Sequence, residues 1–184
     1  MEYQGMAEKY SFPARLLHWS IAALLLVQIP LAWYMVDLPV GPDKLSNYAL
    51  HKSFGMLLFT LAVLRLLRAL LGKRPQLPPG TPAYEKILAR LTQGLLYLLV
   101  MVMPVTGWVM SSAANIPVIV FGMIRLPSLV GPDKALMESM EEVHEMQAFV
   151  LLTLVALHIA AGLKHHFRDR DNVLYSMLPW IGKR

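Results

Sequence analysis

The 184 residues include no cysteine. Disulfides, zinc–thiolate sites, iron–sulfur ligation and thioether-linked haem are therefore excluded, and any metal must be held by His, Met or carboxylates. No internal repeat or low-complexity tract interrupts the chain, and its length suits one membrane domain over residues 1–184. A cleaved leader is not expected. The first apolar run, at about 21 residues, exceeds the ~7–15 of a signal-peptide core, and no small-x-small pattern follows Trp33-Tyr34-Met35.

What the chain has in excess is apolar residues: 56% of the total, with a mean hydropathy of +0.48, more than an ordinary soluble globule carries. Four apolar stretches, near Leu16 to Val36, Ala49 to Leu71, Leu88 to Met110 and Met146 to Leu163, each approach the ~20 residues needed to cross a bilayer. The expected fold is all-α, an integral membrane four-helix bundle with spanning helices near 14–36, 48–71, 85–111 and 140–167. Pro104 and Gly107 predict a kink or loosened turn in the third, because proline deletes a main-chain hydrogen bond.

The net charge of +5 does not require nucleic acid. With four spans and both termini on one side, all but four of the 17 Lys and Arg residues fall on that side, the exceptions being Lys44, Lys52, Arg125 and Lys134. The positive-inside rule then places both termini in the cytoplasm of a multi-pass protein of the bacterial inner membrane, with membrane lipid as its surroundings. The inner connection over 72–82, holding Pro75, Pro78, Pro79 and Pro82, reads as a stiff loop that ends the second helix. The longest outer loop, Ser111 to Glu138, carries the apolar piece Val118 to Phe121, too short to span and expected to lie over the outer mouth of the bundle.

Ionisable side chains at membrane depth are costly and mark a function by default. The chain has six histidines: His18, His51, His144, His158, His165 and His166. His144 and His158 lie 14 residues apart, which on a helix puts them on nearly one face and roughly 21 Å apart along the axis. His18 opens the first span at the inner side and His51 opens the second at the outer side, so depth pairs His18 with His158 and His51 with His144. Each pair can clamp a planar haem between two imidazoles, an arrangement that saturates iron and suits electron transfer. Taken singly, each histidine is better read as an interfacial residue, His18 beside Trp19 above all. Zinc or copper is the competing metal reading, but two ligands per level is fewer than such sites use.

Around these residues the readings divide. His165, two turns beyond His158 on the same face, is either a contact for a quinone carbonyl or an interfacial polar residue. Arg65 and Arg68 either meet haem propionates or set topology with snorkelled heads. Gly55 and Gly162, each four residues after a paired histidine, leave room for a macrocycle or for close helix packing. The Met residues, 12 in all, fill the core. At the outer rim Asp133, Glu138, Glu141, Glu142 and Glu145 outnumber Arg125 and Lys134. That rim does not steer an anion, although Lys52 beside His51 offers local positive charge; carboxylates at a helix start also satisfy its dipole.

With those residues in hand, the chain resembles the prokaryotic cytochrome b561 family over nearly its whole length. The resemblance rests on Leu17-His18-Trp19, Leu50-His51-Lys52-Ser53-Phe54-Gly55, Tyr97-Leu98-Leu99, Pro104-Val105-Thr106-Gly107, the His144 to His158 spacing and the tail Lys164 to Leu174. Where relatives carry histidines at the start of helix three, this chain has Arg90 and Gln93. The resemblance implies two haem b groups held axially by His18, His51, His144 and His158. It also implies an oxidoreductase that takes electrons from a periplasmic donor, such as superoxide, and passes them to ubiquinone. A small periplasmic redox protein, or a lipocalin-like partner of the YceI type, is the other donor the family suggests. The alternative function is a haem-bearing membrane anchor that relays electrons for a separate enzyme such as a hydrogenase or formate dehydrogenase.

Overall fold

The computed structural model describes residues 9–72, 75, 77, 78 and 80–181. Of the basic residues that set the expected topology, Lys73, Arg74, Lys183 and Arg184 lie outside the described residues, as do Gln76 and Pro79 of the proline-rich connection. Among the described residues, four helices are long and apolar enough to cross a membrane. They are α1 (Phe12–Asp37), α2 (Pro42–Leu71), α3 (Ala83–Ala113) and α4 (Lys134–Lys164). A short hairpin of β1 (Ile119–Val120) and β2 (Ile124–Arg125) joins α3 to α4, and a small helix α5 (Val173–Met177) follows α4. The bundle thus has a terminal end, where α1 starts and α4 finishes, and a hairpin end.

Two helices start earlier than hydropathy suggests. α2 begins at Pro42, in a polar stretch whose first turn is fixed by proline's preset φ. Lys44 in that turn donates to the Val36 and Leu38 carbonyls, both at 2.9 Å, and so satisfies oxygens that the end of α1 leaves open. α4 begins at Lys134 because Asp133 caps it, its carboxylate accepting from the Leu136 amide at 3.0 Å. α3 runs helical through Pro104.

Two hydrogen bonds set the antiparallel register of α1 and α2: Arg68 Nη2 donates to Ser11 Oγ at 3.0 Å, and Gln28 Nε2 donates to the His51 carbonyl at 2.8 Å. The bonded residues are equally spaced along both helices, so the register is continuous between them. Consecutive helices pack together along the chain, whereas the backbone of α4 stands off α1 and α2. Ile21, Leu58, Ala62, Val100 and Leu151 form the buried core, between the level of His18 and His158 and that of His51 and His144. Outward, large apolar side chains stay exposed, Leu26 at 75% and Leu157 at 57% among them, the inverse of a soluble protein and the pattern that lipid contact requires.

The hairpin seals one end. Phe121 and Gly122 turn it with positive φ angles of 49° and 72°. Its Phe121 amide donates to Ser53 Oγ at 2.9 Å, and Ser53 is only 2% exposed. Phe121 also meets Phe54 edge to face at 5.8 Å. The apolar piece near Val118 is therefore half of a hairpin anchored on α2, an element too short to betray itself by alternation. At the terminal end the tail folds back on α1. The Tyr10 amide donates to the Ser176 carbonyl at 3.2 Å and Trp19 Nε1 to the Met177 carbonyl at 3.2 Å.

Candidate functional site

The four span histidines meet in two places. His18 of α1 faces His158 of α4 with ring centroids 6.1 Å apart and planes at 75°. His51 of α2 faces His144 of α4 at 6.4 Å and 72°. Both pairs bridge the stretch where the α4 backbone stands off its partners, and one helix supplies a histidine to each. A metal bound by two opposed imidazoles at ~2.0–2.1 Å, with each centroid ~1.1 Å behind its nitrogen, separates the centroids by roughly 6.2 Å. The observed separations match that span. Imidazole planes that both contain the metal–nitrogen axis are free to twist about it, so the angles fit as well.

The surroundings of the two rings at the hairpin end differ. His144 Nδ1 lies 3.1 Å from Thr106 Oγ1, which itself sits 2.8 Å from Gln147 Oε1 and 2.8 Å from the Met103 carbonyl. A Cβ on Gly107 would come within 3.2 Å of His144 Cε1, so the glycine that makes room for a paired histidine is Gly107. Gly55 instead faces Gln28 Nε2 at 3.6 Å, and Gly162 faces Leu174 Cδ1 at 4.0 Å. His51 has a buried Nδ1 with no partner among the described residues. Lys52, next to it, donates to Ser111 Oγ at 2.7 Å, and Ser111 donates on to the Ile116 carbonyl at 2.8 Å. That lysine ties α2 to the end of α3 instead of standing free at the surface.

Around His18 and His158 the charged groups are arginines. Arg65 lies within electrostatic reach of both rings. Its Nε donates to Tyr97 OH at 2.9 Å, its guanidinium lies 5.6 Å from the Tyr97 ring centroid, and its buried Nη1 has no partner among the described residues. Arg68, one turn on, is engaged with Ser11 instead. The α1–α2 register brings Arg15 level with Arg65, and the Arg15 Nε is also buried without a partner among the described residues. Buried guanidinium N–H groups left unmatched are expensive, and a carboxylate is the group that matches them. Together with two facing imidazole pairs and apolar walls, these donors suit a flat group that carries a metal and carboxylates. Arg15 escaped sequence analysis because, near a helix start, it reads as topology-setting charge. Gln28 carried a better signal, a polar residue inside an apolar span.

His165 belongs to a one-turn π-helix, His165–Asp169, that ends at Arg170 in the left-handed region. Its Nδ1 is 2.6 Å from Asp171 Oδ2 and 3.4 Å from Asp169 Oδ2, and its side chain is mostly buried. Glu85, His165 and Asp169 stand close enough to one another for a metal ion. Lys164 Nζ, however, already sits 2.9 Å from both Glu85 and Asp169, and its ammonium supplies the positive charge there. The cluster binds the start of α3 to the end of α4.

The chain matches the family model for prokaryotic cytochrome b561 over residues 9–180. It is 28% identical to cytochrome b561 homolog 2 of Escherichia coli over 97% of this chain and 95% of that protein. It is 27% identical to the probable superoxide oxidase CybB of Yersinia pestis, over 95% of this chain and 98% of that one. Cytochrome b561 homolog 1 of Escherichia coli is likewise 27% identical, over 89% and 93% of the two chains. With four apolar helices and a family match over almost its full length, the chain belongs to the prokaryotic cytochrome b561 family, membrane proteins that bind haem b and transfer electrons.

Proposed function

We propose that this protein binds two haem b groups, one between His18 and His158 and one between His51 and His144, and carries electrons from a periplasmic donor to ubiquinone across the bacterial inner membrane. The observation that carries the reading is the pair of imidazole separations, 6.1 and 6.4 Å, each the span of a metal ligated on both faces. Haem held there would supply reversible one-electron chemistry. The chain's own residues do the rest. Four histidines orient the groups, and the apolar layer between the pairs keeps water out. Arg65, joined by Arg15, receives propionate carboxylates at the terminal end. Arg68 serves α1–α2 packing. His165, whose Nδ1 is held by Asp171, has Nε2 left to meet a quinone oxygen and pass it a proton. Both termini lie in the cytoplasm, so the hairpin end faces the periplasm.

Superoxide is the small donor favoured here, on the name of the Yersinia pestis relative, a probable superoxide oxidase. The exposed carboxylates Glu141, Glu142 and Glu145 at the hairpin end favour a second reading, a basic periplasmic protein as donor, with a lipocalin-like partner of the YceI type as one form. Full-length protein loaded with haem and exposed to a superoxide pulse discriminates between them. Rapid reduction followed by ubiquinone-dependent reoxidation supports superoxide oxidation. Haems that stay oxidised refute that donor and leave the docked protein. A colourless protein refutes the haem reading altogether.

A further inference from the structure

The hairpin-end histidines differ in what stands behind them, and the difference has a chemical direction. Thr106 Oγ1 touches three groups: Gln147 Oε1 at 2.8 Å, the Met103 carbonyl at 2.8 Å and His144 Nδ1 at 3.1 Å. A carbonyl only accepts, and the hydroxyl has a single proton to give. With that proton committed to Gln147 or Met103, Thr106 must accept from the imidazole. His144 Nδ1 then carries the hydrogen and Nε2 keeps its lone pair. Gly107, next along α3, leaves the ring only the space it fills, since a Cβ there would lie 3.2 Å from Cε1 and 3.5 Å from Nδ1. α3 thus dictates the protonation and the position of a histidine on α4. His51 receives no such treatment, since its buried Nδ1 has no partner among the described residues.

We infer that Thr106, backed by Gln147, is a positioning residue that fixes His144 as the Nδ1–H tautomer and makes it the more electron-rich of the two hairpin-end ligands, lowering the reduction potential of the haem held there. A ligating imidazole that gives its N–H to an acceptor becomes more basic. Greater basicity favours the ferric over the ferrous state. The Thr106 to Gln147 chain extends the effect, because a hydroxyl that donates onward is a better acceptor itself. The inference rests on the haem reading above, and its test separates the two.

The experiment is a spectroelectrochemical titration of the purified, haem-loaded full chain, with the hairpin-end wave identified as the one lost in His51→Ala. In Thr106→Val, which keeps the shape and removes the hydroxyl, the hairpin-end wave moves to more positive potential while the terminal-end wave stays in place. Thr106→Ser restores the original value. Gln147→Leu, which leaves the hydroxyl but removes its acceptor, moves the same wave the same way by less, and carries the test should Thr106→Val lose haem. An unmoved hairpin-end wave in the haem-retaining variant overturns the inference, as does an equal shift of both waves. If His144→Ala retains two haems with unchanged spectra, the haem reading has failed and the role of Thr106 fails with it.

Discussion

His51 and His144 come from different helices, as do His18 and His158, and each pair stands or falls on either member, since one imidazole cannot clamp a group from two faces. Replacing His51 with Ala is expected to remove about half of the reduced-minus-oxidised haem absorbance, and His51→Ala with His18→Ala nearly all of it. A pyridine haemochrome assay on the purified variants checks this, and full haem content in both single variants refutes the assignment. The arginines separate in the same way. Arg65→Leu strips a buried donor beside His18 and His158 and weakens haem retention at the terminal end, whereas Arg68→Leu loses a contact to Ser11 and keeps both haems. The juxtaposition of the histidines was legible in the sequence because helix rise and alternating span direction fix depth. Thr106 and Arg15 were not, because their significance lies in neighbours on other helices, which hydropathy does not encode.

At the scale of elements, the hairpin is the least autonomous part. Two strands of two residues cannot stand alone, and this one is held through Ser53 and Phe54 on α2. Ser53→Ala removes the acceptor of the Phe121 amide from a part-buried hydrogen bond, at a cost of about 1 kcal/mol. Most of that cost appears as local opening, so amide hydrogen exchange across residues 118–125 accelerates while the α3 and α4 cores exchange as before. Exchange unchanged in Ser53→Ala would show that the hairpin is held elsewhere. The helices themselves were legible from four long apolar runs. Their starts were not, since the opening turns of α2 and α4 are polar and owe their helicity to Pro42 and to the Asp133 cap. The hairpin escaped for a different reason: its strands are shorter than any periodicity can register.

Across the whole molecule, electrostatics and apolar surface point along the same axis. The terminal end gathers Arg15, Arg65, Arg68 and Lys164, while the exposed rim of the hairpin end is acidic, and between them lies a belt of exposed apolar side chains. A polybasic end held at an anionic cytoplasmic leaflet and an acidic end outside is the arrangement the positive-inside rule favours. The absence of native cysteine makes that orientation directly measurable, because any thiol introduced is the only one present. Met123 in the hairpin turn is 78% exposed and Tyr84 at the start of α3 is 62% exposed, at opposite ends of the bundle. In spheroplasts treated with a membrane-impermeant maleimide, Met123→Cys is expected to label at once and Tyr84→Cys only after lysis. The reverse pattern would put the hairpin in the cytoplasm. It would also place His51 and His144 on the side where the proposed ubiquinone reduction takes up protons, and the proposed direction of electron flow would have to be inverted with it.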